Sequence, residues 1–426
     1  MSNIPLLSNE TSALFQTLSS NSSHDAYLYK LSQPYPNNSK QKIVVKPQNA
    51  MAFGSQCIFK IPRYGLLQAA CLKIRMSVSS HLASTLQEGA IADLLGLVIC
   101  DKIALTSHSK EIESLVPLSQ IADYMKLNEE ARVAIDQVIQ SGSIKYGENL
   151  DDDSAPESAA DNENVKDLYV YVPLMFSFSK GLHSALDVSF LEELEIVADV
   201  AIRAKICAWE HISLASSELI CYFQQLDNST MKKLQSSQFN LSSGQPLTQL
   251  CQNSYEENIV TVTGPTTVAG PVEATVDLAC KHLCFETVIG VFQTDKLPPM
   301  DVGGATQVIQ EIELFMSGRS IWRTTGMEAR ALEPVILGGS RVQHFKPHSG
   351  EGKLDIITLS WSNDVKRALA QMSGALSMKG ASAPQLKITF KAAEINKQYD
   401  IRVVHKYYSA VSYSGSDGRI SSGLNL

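Results

Sequence analysis

One spaced pattern occurs twice in this chain, and it constrains the fold more than any other feature. The first copy comprises Ile103, Leu105, Lys110 and Ile112, and the second comprises Ile312, Leu314, Arg319 and Ile321. Both follow the form I-x-L-x(4)-[KR]-x-I, and 209 residues separate them in a chain of 426. Alternating apolar residues, a small polar turn and a second strand predict a hairpin in each half. Since the displacement is close to half the chain, we predict two similar β-sandwiches in tandem.

Short apolar runs that alternate with polar residues extend through most of the chain and favour strands. In the first half these runs are 56–61, 72–78, 98–105, 168–178 and 194–207. In the second half they are 259–262, 268–276, 287–293, 308–316, 356–360, 386–390 and 401–408. Helical spacing over 116–140 predicts a helical insertion, and 216–257 is predicted as helix or loop.

The pattern of these runs predicts three parts: an N-terminal arm at 1–42, a first sandwich at 43–215 and a second sandwich at 216–426. The arm is rich in Ser and Asn, is interrupted by prolines and has little periodic apolar pattern. The acidic stretch 151–164 lacks the apolar residues needed to bury it, so we predict an exposed loop. A loop that docks a partner is the alternative interpretation.

The balance of charge excludes some functions. With 36 Lys and Arg against 44 Asp and Glu, the formal charge is −8, which argues against a protein that binds polyanions with its whole chain. We predict no direct sequence-specific contact with nucleic acid. The first part of the chain lacks the basic start and apolar middle of a signal peptide, and no apolar run approaches the ~20 residues that cross a bilayer. Residues 341–426 carry 12 Lys and Arg against 6 Asp and Glu. They either form a basic surface for acidic lipids or subunits, or scatter over strand faces.

The sequence contains no phosphate loop, nucleophile elbow, zinc-protease helix or dinucleotide turn. Its eight cysteines form no C-x-x-C pair and indicate reduced, buried thiols. Cys280, His282 and Cys284 are the best candidates for a metal site, because strand alternation would place them on one face. Buried cysteines that act as small apolar residues are the interpretation we favour. We therefore predict no catalytic residue, no cofactor, no metal and no enzyme activity.

Four segments in chain order carry a resemblance to a known family. The first runs from 53 to 76 and contains Pro62, Arg63, Tyr64 and Gly65; the second is the hairpin 102–112; the third is 171–178, with Pro173 and Phe176; the fourth is 401–415, with Tyr407 and Tyr408. The second copy of the hairpin adds Gly318 and Arg319. Together these segments resemble the double jelly-roll major capsid proteins of double-stranded DNA viruses, including nucleocytoplasmic large DNA viruses, polinton-like viruses and virophages.

The resemblance implies an all-β fold of two tandem eight-stranded jelly rolls with short helical insertions. It also implies a homotrimer that forms a pseudo-hexameric capsomer of an icosahedral shell, located in the virion and assembled inside the host cell. The implied partners are further copies of the chain, minor capsid, penton and cement proteins, and an internal membrane where the virus has one. A carbohydrate-binding or glycan-cleaving double jelly-roll protein is the alternative. Such an enzyme would need carboxylates that converge between the sandwiches.

Overall fold

The computed structural model describes residues 39–79, 94–127, 135, 165–179, 185–188, 191, 193–206, 212–225, 247–264, 271–293, 308–332, 354–362, 374–390, 398–413 and 420–425. Within these ranges, twenty strands form four antiparallel sheets. No helix in the described part of the chain is long and apolar enough to cross a membrane.

Nine strands and three short helices form the first sandwich. The strands are β1 (Ser39–Val45), β2 (Gln56–Lys60), β3 (Leu66–Ser79), β4 (Cys100–Ser107), β5 (Lys110–Leu115), β6 (Val165–Leu174), β7 (Leu186–Asp187), β8 (Leu194–Val200) and β9 (Ile212–Gln225). The helices are α1 (Leu95–Val98), α2 (Pro117–Met125) and α3 (Arg203–Ile206), and a 3-10 turn spans Ser177–Ser179. One sheet has the order β1-β9-β3-β6, with β7 beside β3, and the other has the order β2-β8-β4-β5.

Eleven strands form the second sandwich. They are β10 (Leu247–Glu256), β11 (Val260–Thr263), β12 (Glu273–Asp277), β13 (Leu283–Gln293), β14 (Ile309–Met316), β15 (Arg319–Thr325), β16 (Leu354–Ser360), β17 (Leu376–Ser377), β18 (Gln385–Phe390), β19 (Gln398–Tyr413) and β20 (Ile420–Asn425), with a π-helical turn at Glu328–Leu332. One sheet has the order β10-β19-β13-β16, with β11 and β20 beside β19 and β17 beside β13. The other has the order β12-β18-β14-β15.

The two sandwiches have the same topology. When the minor strands β7, β11, β17 and β20 are set aside, eight strands remain in each sandwich. Numbered within their own sandwich, they lie in the orders 1-8-3-6 and 2-7-4-5 in both cases. This arrangement of two facing antiparallel sheets is the jelly roll. The predicted fold class, two tandem eight-stranded jelly rolls, is therefore confirmed.

The duplicated hairpin forms in both sandwiches, as β4–β5 and as β14–β15. Both turn residues are left-handed in each copy: φ is 49° at His108 and 61° at Ser109, and 51° at Ser317 and 74° at Gly318. Two successive positive φ angles are typical of the type I′ turn, whose twist suits a hairpin. The register also shifts at the same place in both copies, directly after Leu105 and Leu314. The offset of 209 residues therefore relates equivalent positions.

Apolar and polar residues alternate along the strands, and this alternation places the apolar side chains in the cores. In β8, the residues Leu194, Ile196, Ala198 and Val200 are buried and the residues between them are partly exposed. The core of the first sandwich continues beyond its own sheets, because Cys251, Val288, Phe292, Ile356 and Val404 of the second sandwich belong to the same apolar cluster. The two sandwiches thus share a packed junction.

Several predicted boundaries differ from the structure. The described residues of 216–257, a stretch predicted as helix or loop, instead form the end of β9 and all of β10, and residues 226–246 lie outside the described ranges. Strand β9 crosses the predicted boundary at 215/216 and pairs with β1 and β3 as far as Gln225. We propose that the division lies between Gln225 and Leu247. The last residues of the predicted arm, from Ser39, belong to β1, because their lysines point outward while the strand pairs with β9.

Two runs predicted as strands overlap helical turns at one end: Leu95–Val98 ends at the first residue of the run 98–105, and Arg203–Ile206 lies at the end of the run 194–207. The predicted helical insertion is present as α2 over Pro117–Met125. The acidic stretch 151–164 and residues 1–38 lie outside the described residues.

Candidate functional site at the junction of the sandwiches

Helix α2 follows β5 and lies on the second sandwich. Its Leu118 occupies the space above Gly290, in the middle of β13. A Cβ atom at position 290 would lie 2.7 Å from Cδ1 of Leu118 and 2.9 Å from Cε2 of Phe292. These separations are shorter than any ordinary carbon contact. The missing side chain of Gly290 therefore lets the helix approach the sheet closely.

Apolar side chains on the outward face of the sheet β10-β19-β13-β16 are buried at the junction. Val288, Phe292 and Val404 are almost completely inaccessible and pack with the first sandwich. On an isolated sandwich this face would be turned to solvent. Burial of apolar area is therefore a main contribution to the joining of the sandwiches.

Strand β10 is joined to strand β5 by hydrogen bonds from one carboxamide. The Oδ1 atom of Asn253 accepts the backbone N–H of Ser114 at 2.9 Å and its hydroxyl at 3.0 Å. The Nδ2 atom of Asn253 donates to the carbonyl of Ile112 at 3.2 Å. The side chain of Asn253 thus satisfies backbone groups at the edge of the first sandwich, as buried polar groups require.

A second set of hydrogen bonds links the 3-10 turn to β10. Oε1 of Glu113 accepts the backbone N–H of Ser177 at 2.8 Å and its hydroxyl at 3.0 Å. The same hydroxyl oxygen accepts the backbone N–H of Gln252 at 2.8 Å. Because all three residues are buried, these bonds form in a low-dielectric environment and fix the register of β10.

Four charged side chains form an ionic cluster at the junction: Asp123 and Lys126 from α2 and its end, Glu286 from β13 and Lys406 from β19. Lys126 binds Glu286, and Lys406 binds Asp123 and lies 3.3 Å from Glu286. Burial alone would raise the pKa of Glu286, but the ammonium groups of Lys126 and Lys406 outweigh it and hold the pKa below its ordinary value. Burial alone would lower the pKa of Lys406, yet Asp123 and Glu286 raise it. The pKa of Lys126 is lowered instead, because burial outweighs the attraction of Glu286 and Asp123. The shifts of Glu286 and Lys406 favour their charged forms, and the cluster links α2 to two strands of the other sandwich.

Several solved structures of other proteins share this architecture. No family model and no curated protein matches the sequence. Among solved structures, the PBCV-1 virus capsid aligns with a TM-score of 0.65 at 12% identity, over 92% of this chain and 98% of that chain. The Faustovirus major capsid protein gives 0.60 at 9% identity over 89% and 91%, and the mavirus major capsid protein gives 0.53 at 12% identity over 92% and 91%. This chain is a double jelly roll. At such identities the likeness establishes the fold alone.

The residues that carried the resemblance do not converge on one site of the double jelly roll. They lie in turns, on a sheet face and in the two cores: Pro62, Arg63, Tyr64, Gly65, Pro173, Phe176, Gly318, Arg319, Tyr407 and Tyr408. Gly65 has φ of 67° in the turn before β3, and its carbonyl accepts the N–H of Val188 at 3.1 Å. The ring of Tyr64 meets Phe223 edge-on at 5.9 Å. This segment shapes the entry into β3.

The buried aromatic members of that set lie on different faces: Phe176 is in the core of the first sandwich and Tyr407 is in the core of the second, whereas Tyr408 is on the outward face of β19 with Lys406. Phe176 is fully buried, 5.5 Å from the ring of Phe178. Tyr408 is also fully buried, 4.7 Å from the ring of Phe285. Pro173 lies in β6 opposite Cys71. None of these residues belongs to the ionic cluster at the junction.

The three residues considered for a metal site do not form a set of metal ligands in the structure. The sulfur atoms of Cys280 and Cys284 lie 3.5 Å apart. The imidazole of His282, however, stacks on the ring of Tyr407 with 4.1 Å between centroids. Among the residues that the structure describes, no three His, Cys, Asp or Glu side chains are grouped to hold a metal ion.

The junction residues have no distinctive pattern in the sequence. Asn253, Glu286 and Lys406 occupy strands, where polar residues ordinarily indicate a solvated face. Gly290 was the one available signal, because a glycine inside an apolar strand often marks a close approach of another element.

Proposed function

We propose that this chain is a major capsid protein, a structural subunit whose homotrimer forms a pseudo-hexameric capsomer of an icosahedral shell. The observation that carries the proposal is the head-to-tail joining of two like sandwiches. Strand β5 and helix α2 of the first sandwich contact β10, β13 and β19 of the second, so two different surfaces meet. Such a heterologous contact can be repeated around a ring.

The number of domains in each chain favours a ring of three copies. Two like domains in each chain make six similar wedges in a trimer, and six wedges fit a hexagonal lattice. A closed ring also satisfies every repeated contact, whereas an open heterologous series would grow into filaments. A trimer of a chain with two like domains is therefore a six-domain unit that can fill a hexagonal lattice; we call this unit a tile.

The junction has the properties that such a tile needs. A tile has to hold a constant angle between its domains while neighbouring tiles exert force on it. The apolar seat of α2, the hydrogen bonds of Asn253 and the ionic cluster each restrict that angle from a different position. Partners in the shell, namely minor capsid, penton and cement proteins or an internal membrane, would then contact the outer surfaces of the tile in the virion.

The alternative, a glycan-cleaving or carbohydrate-binding double jelly roll, would require carboxylates poised between the sandwiches. The junction does contain Asp123 and Glu286, but both are bound to lysine ammonium groups. A general acid needs a pKa that is raised towards the working pH, and the pKa of Glu286 is held below its ordinary value. Burial does raise the pKa of Glu256, but its carboxylate lies 3.6 Å from the guanidinium of Arg402. The geometry therefore favours a structural use of these carboxylates.

Mass measurement tests the proposal. We expect the purified chain to elute in size-exclusion chromatography with light scattering at three times its mass of 46.5 kDa. Negative-stain images should show particles of hexagonal outline. A stable monomer at micromolar concentration that also binds an oligosaccharide array would favour the alternative and contradict the capsomer.

A further inference from the structure

Equivalent positions in the two hairpins differ sharply in exposure. Ile112 in β5 is 4% exposed, but Ile321, its equivalent in β15, is 47% exposed. Ser114 is likewise buried, whereas its equivalent Arg323 is exposed. The first-sandwich edge is covered by β10 through Asn253. Strand β15 lies at the end of its sheet, and within the described residues it pairs only with β14. Among the described residues, the equivalent edge is thus covered in the first sandwich and uncovered in the second.

A shared irregularity identifies which strand is equivalent to β10. In the first sandwich the pairing of β3 with β9 shifts register directly after the pair Leu67 and Phe223. In the second sandwich the pairing of β13 with β19 shifts directly after the pair Cys284 and Tyr407. Since bulges mark fixed points of a sheet, Phe223 and Tyr407 are equivalent positions.

This alignment places two carboxamides at the same position. Gln41 in β1 lies opposite Phe223, and Asn253 in β10 lies opposite Tyr407. Asn253 is the residue that joins the two sandwiches within the chain. Strand β1 therefore offers, at the equivalent position, the same functional group that β10 uses.

Exposed apolar residues concentrate on two surfaces that no sandwich covers within the described part of the chain. Eight large apolar side chains are exposed in the described part of the chain. Three of them, Ile321, Trp322 and Met327, lie on β15 and directly after it. Three others lie on β1, β9 and β6, in the sheet of Gln41: Val44, Tyr222 and Tyr169. Apolar patches of this kind mark contact surfaces.

The charges of the two sheet faces are complementary. Among the described side chains, the outward face of the sheet β1-β9-β3-β6, with β7, has four cations and two carboxylates: Lys40, Lys42, Lys73, Arg75, Asp187 and Glu218. The outward face of the sheet β12-β18-β14-β15 has four carboxylates and two cations: Glu273, Asp277, Glu311, Glu313, Arg323 and Lys387. A predominantly basic face can thus meet a predominantly acidic one.

From these observations we infer that β15 of one copy docks on β1 of a second copy of this chain, repeating between chains the contact that β5 makes with β10 within the chain. The carboxamide of Gln41 then bonds to the backbone N–H of Arg323 and the carbonyl of Ile321 in the neighbour. Met327 and Trp322 pack against the outward face that carries Tyr222. This inference rests on the proposed capsomer, and it names the surfaces that close the trimer.

An exposed-site substitution tests the surface on β15. We expect Ile321→Asp to shift the particle from three times 46.5 kDa to the single-chain mass, with at least a tenfold weaker association. Ile259→Asp is the matched control, because Ile259 has the same exposed fraction of 47% but lies between β10 and β11, on neither surface. The far-ultraviolet circular dichroism spectrum and the urea midpoint of the Ile321→Asp monomer are measured to check that the variant is folded.

The outcomes separate the two proposals. A wild-type chain that is monomeric overturns the capsomer and the docking together. A trimeric wild type whose Ile321→Asp variant also remains trimeric overturns the docking surface and leaves the capsomer in place.

Cross-linking tests the pairing of the two strands directly. Under mild oxidation, the double variant Gln41→Cys with Arg323→Cys should form disulfide-linked species of two and three chain masses on a non-reducing gel. Either single variant, which supplies a thiol without its partner, should form none beyond the wild-type background. A double variant that remains trimeric in solution but forms no linked species contradicts the assignment of β1 as the partner of β15.

Discussion

Replacing Glu286 with Gln tests whether the ionic cluster stabilises the junction. The side chain of Glu286 is only 5% exposed, and its carboxylate faces two ammonium groups. The substitution preserves side-chain volume but changes the formal charge of the four-residue cluster from zero to +1. Breaking a buried pair by removing one partner costs about 3–5 kcal/mol. We expect a value near the lower limit, because Lys406 retains Asp123.

Urea unfolding followed by tryptophan fluorescence measures this loss. The matched control is Glu218→Gln, because the carboxylate of Glu218 lies 3.9 Å from Lys73 on an exposed sheet face. An exposed pair of this kind contributes about 0–1 kcal/mol. Equal losses in the two variants would refute the reasoning, since they would show that burial adds nothing to the contribution of Glu286.

A second substitution in the same background sharpens the test. Adding Lys126→Met to Glu286→Gln leaves Asp123 paired with Lys406 and restores a balanced charge. We therefore expect the double variant to be more stable than Glu286→Gln alone. A double variant that loses the sum of both single effects would contradict the electrostatic explanation.

The pH dependence has a defined sign. Because the pKa of Glu286 in the folded chain lies below its ordinary value, its contribution to stability is fully present above the pKa of the unfolded chain. The contribution is lost as the pH falls through the folded pKa. The difference in stability between wild type and Glu286→Gln should therefore be constant near neutrality and shrink below about pH 4.3.

Three further predictions concern the hydrogen bonds, the hairpin turns and the thiols. Asn253→Ala should destabilise the chain by about 1–3 kcal/mol in urea unfolding, because buried groups of β5 lose their partner; an unchanged midpoint would contradict this role. Gly318→Ala should cost about 1 kcal/mol at its φ of 74°, whereas Ser109→Gly, at the equivalent left-handed position, should stabilise by a similar amount. Burial raises the pKa of Cys71 and Cys221 to about 12, so iodoacetamide at pH 8 should alkylate them only after unfolding, as peptide mass mapping can show.

Local chemistry made the hairpins predictable. Each hairpin is local in sequence: its left-handed turn residues, such as Gly318, lie only a few positions from the apolar residues of its two strands. A short sequence pattern is therefore enough to predict the hairpin. The repetition of that pattern then implied the second sandwich without any information on long-range pairing. The same was true of alternating runs such as the one around Ile196, where one face is buried by its own sandwich.

The junction was not predictable in this way, because its residues are buried by the other sandwich. Strand β10 contains many polar residues, and its Asn253 becomes buried only when β5 lies beside it. The same holds for Lys406. A lysine in a strand ordinarily predicts a solvent-exposed side chain, but here Asp123 of α2 lies against it and the lysine is buried. Periodicity reports which face of a strand is apolar, and it contains no information on which polar face will be covered.

The two kinds of contact in the proposed trimer differ in composition, and their different entropic costs explain why. Within the chain, Lys406 and Glu286 occupy the contact; at the equivalent positions the first sandwich carries Tyr222 and Ala69. Covalent linkage keeps the two sides of the internal contact at a high effective concentration. That contact can therefore contain buried charges, which fix geometry but add little net affinity. A contact between chains has to overcome the loss of translational and rotational freedom. Apolar burial offsets that loss at roughly 25 cal/mol per Å², so tyrosine and isoleucine suit the contact that has to assemble, and lysine and glutamate suit the contact that already exists.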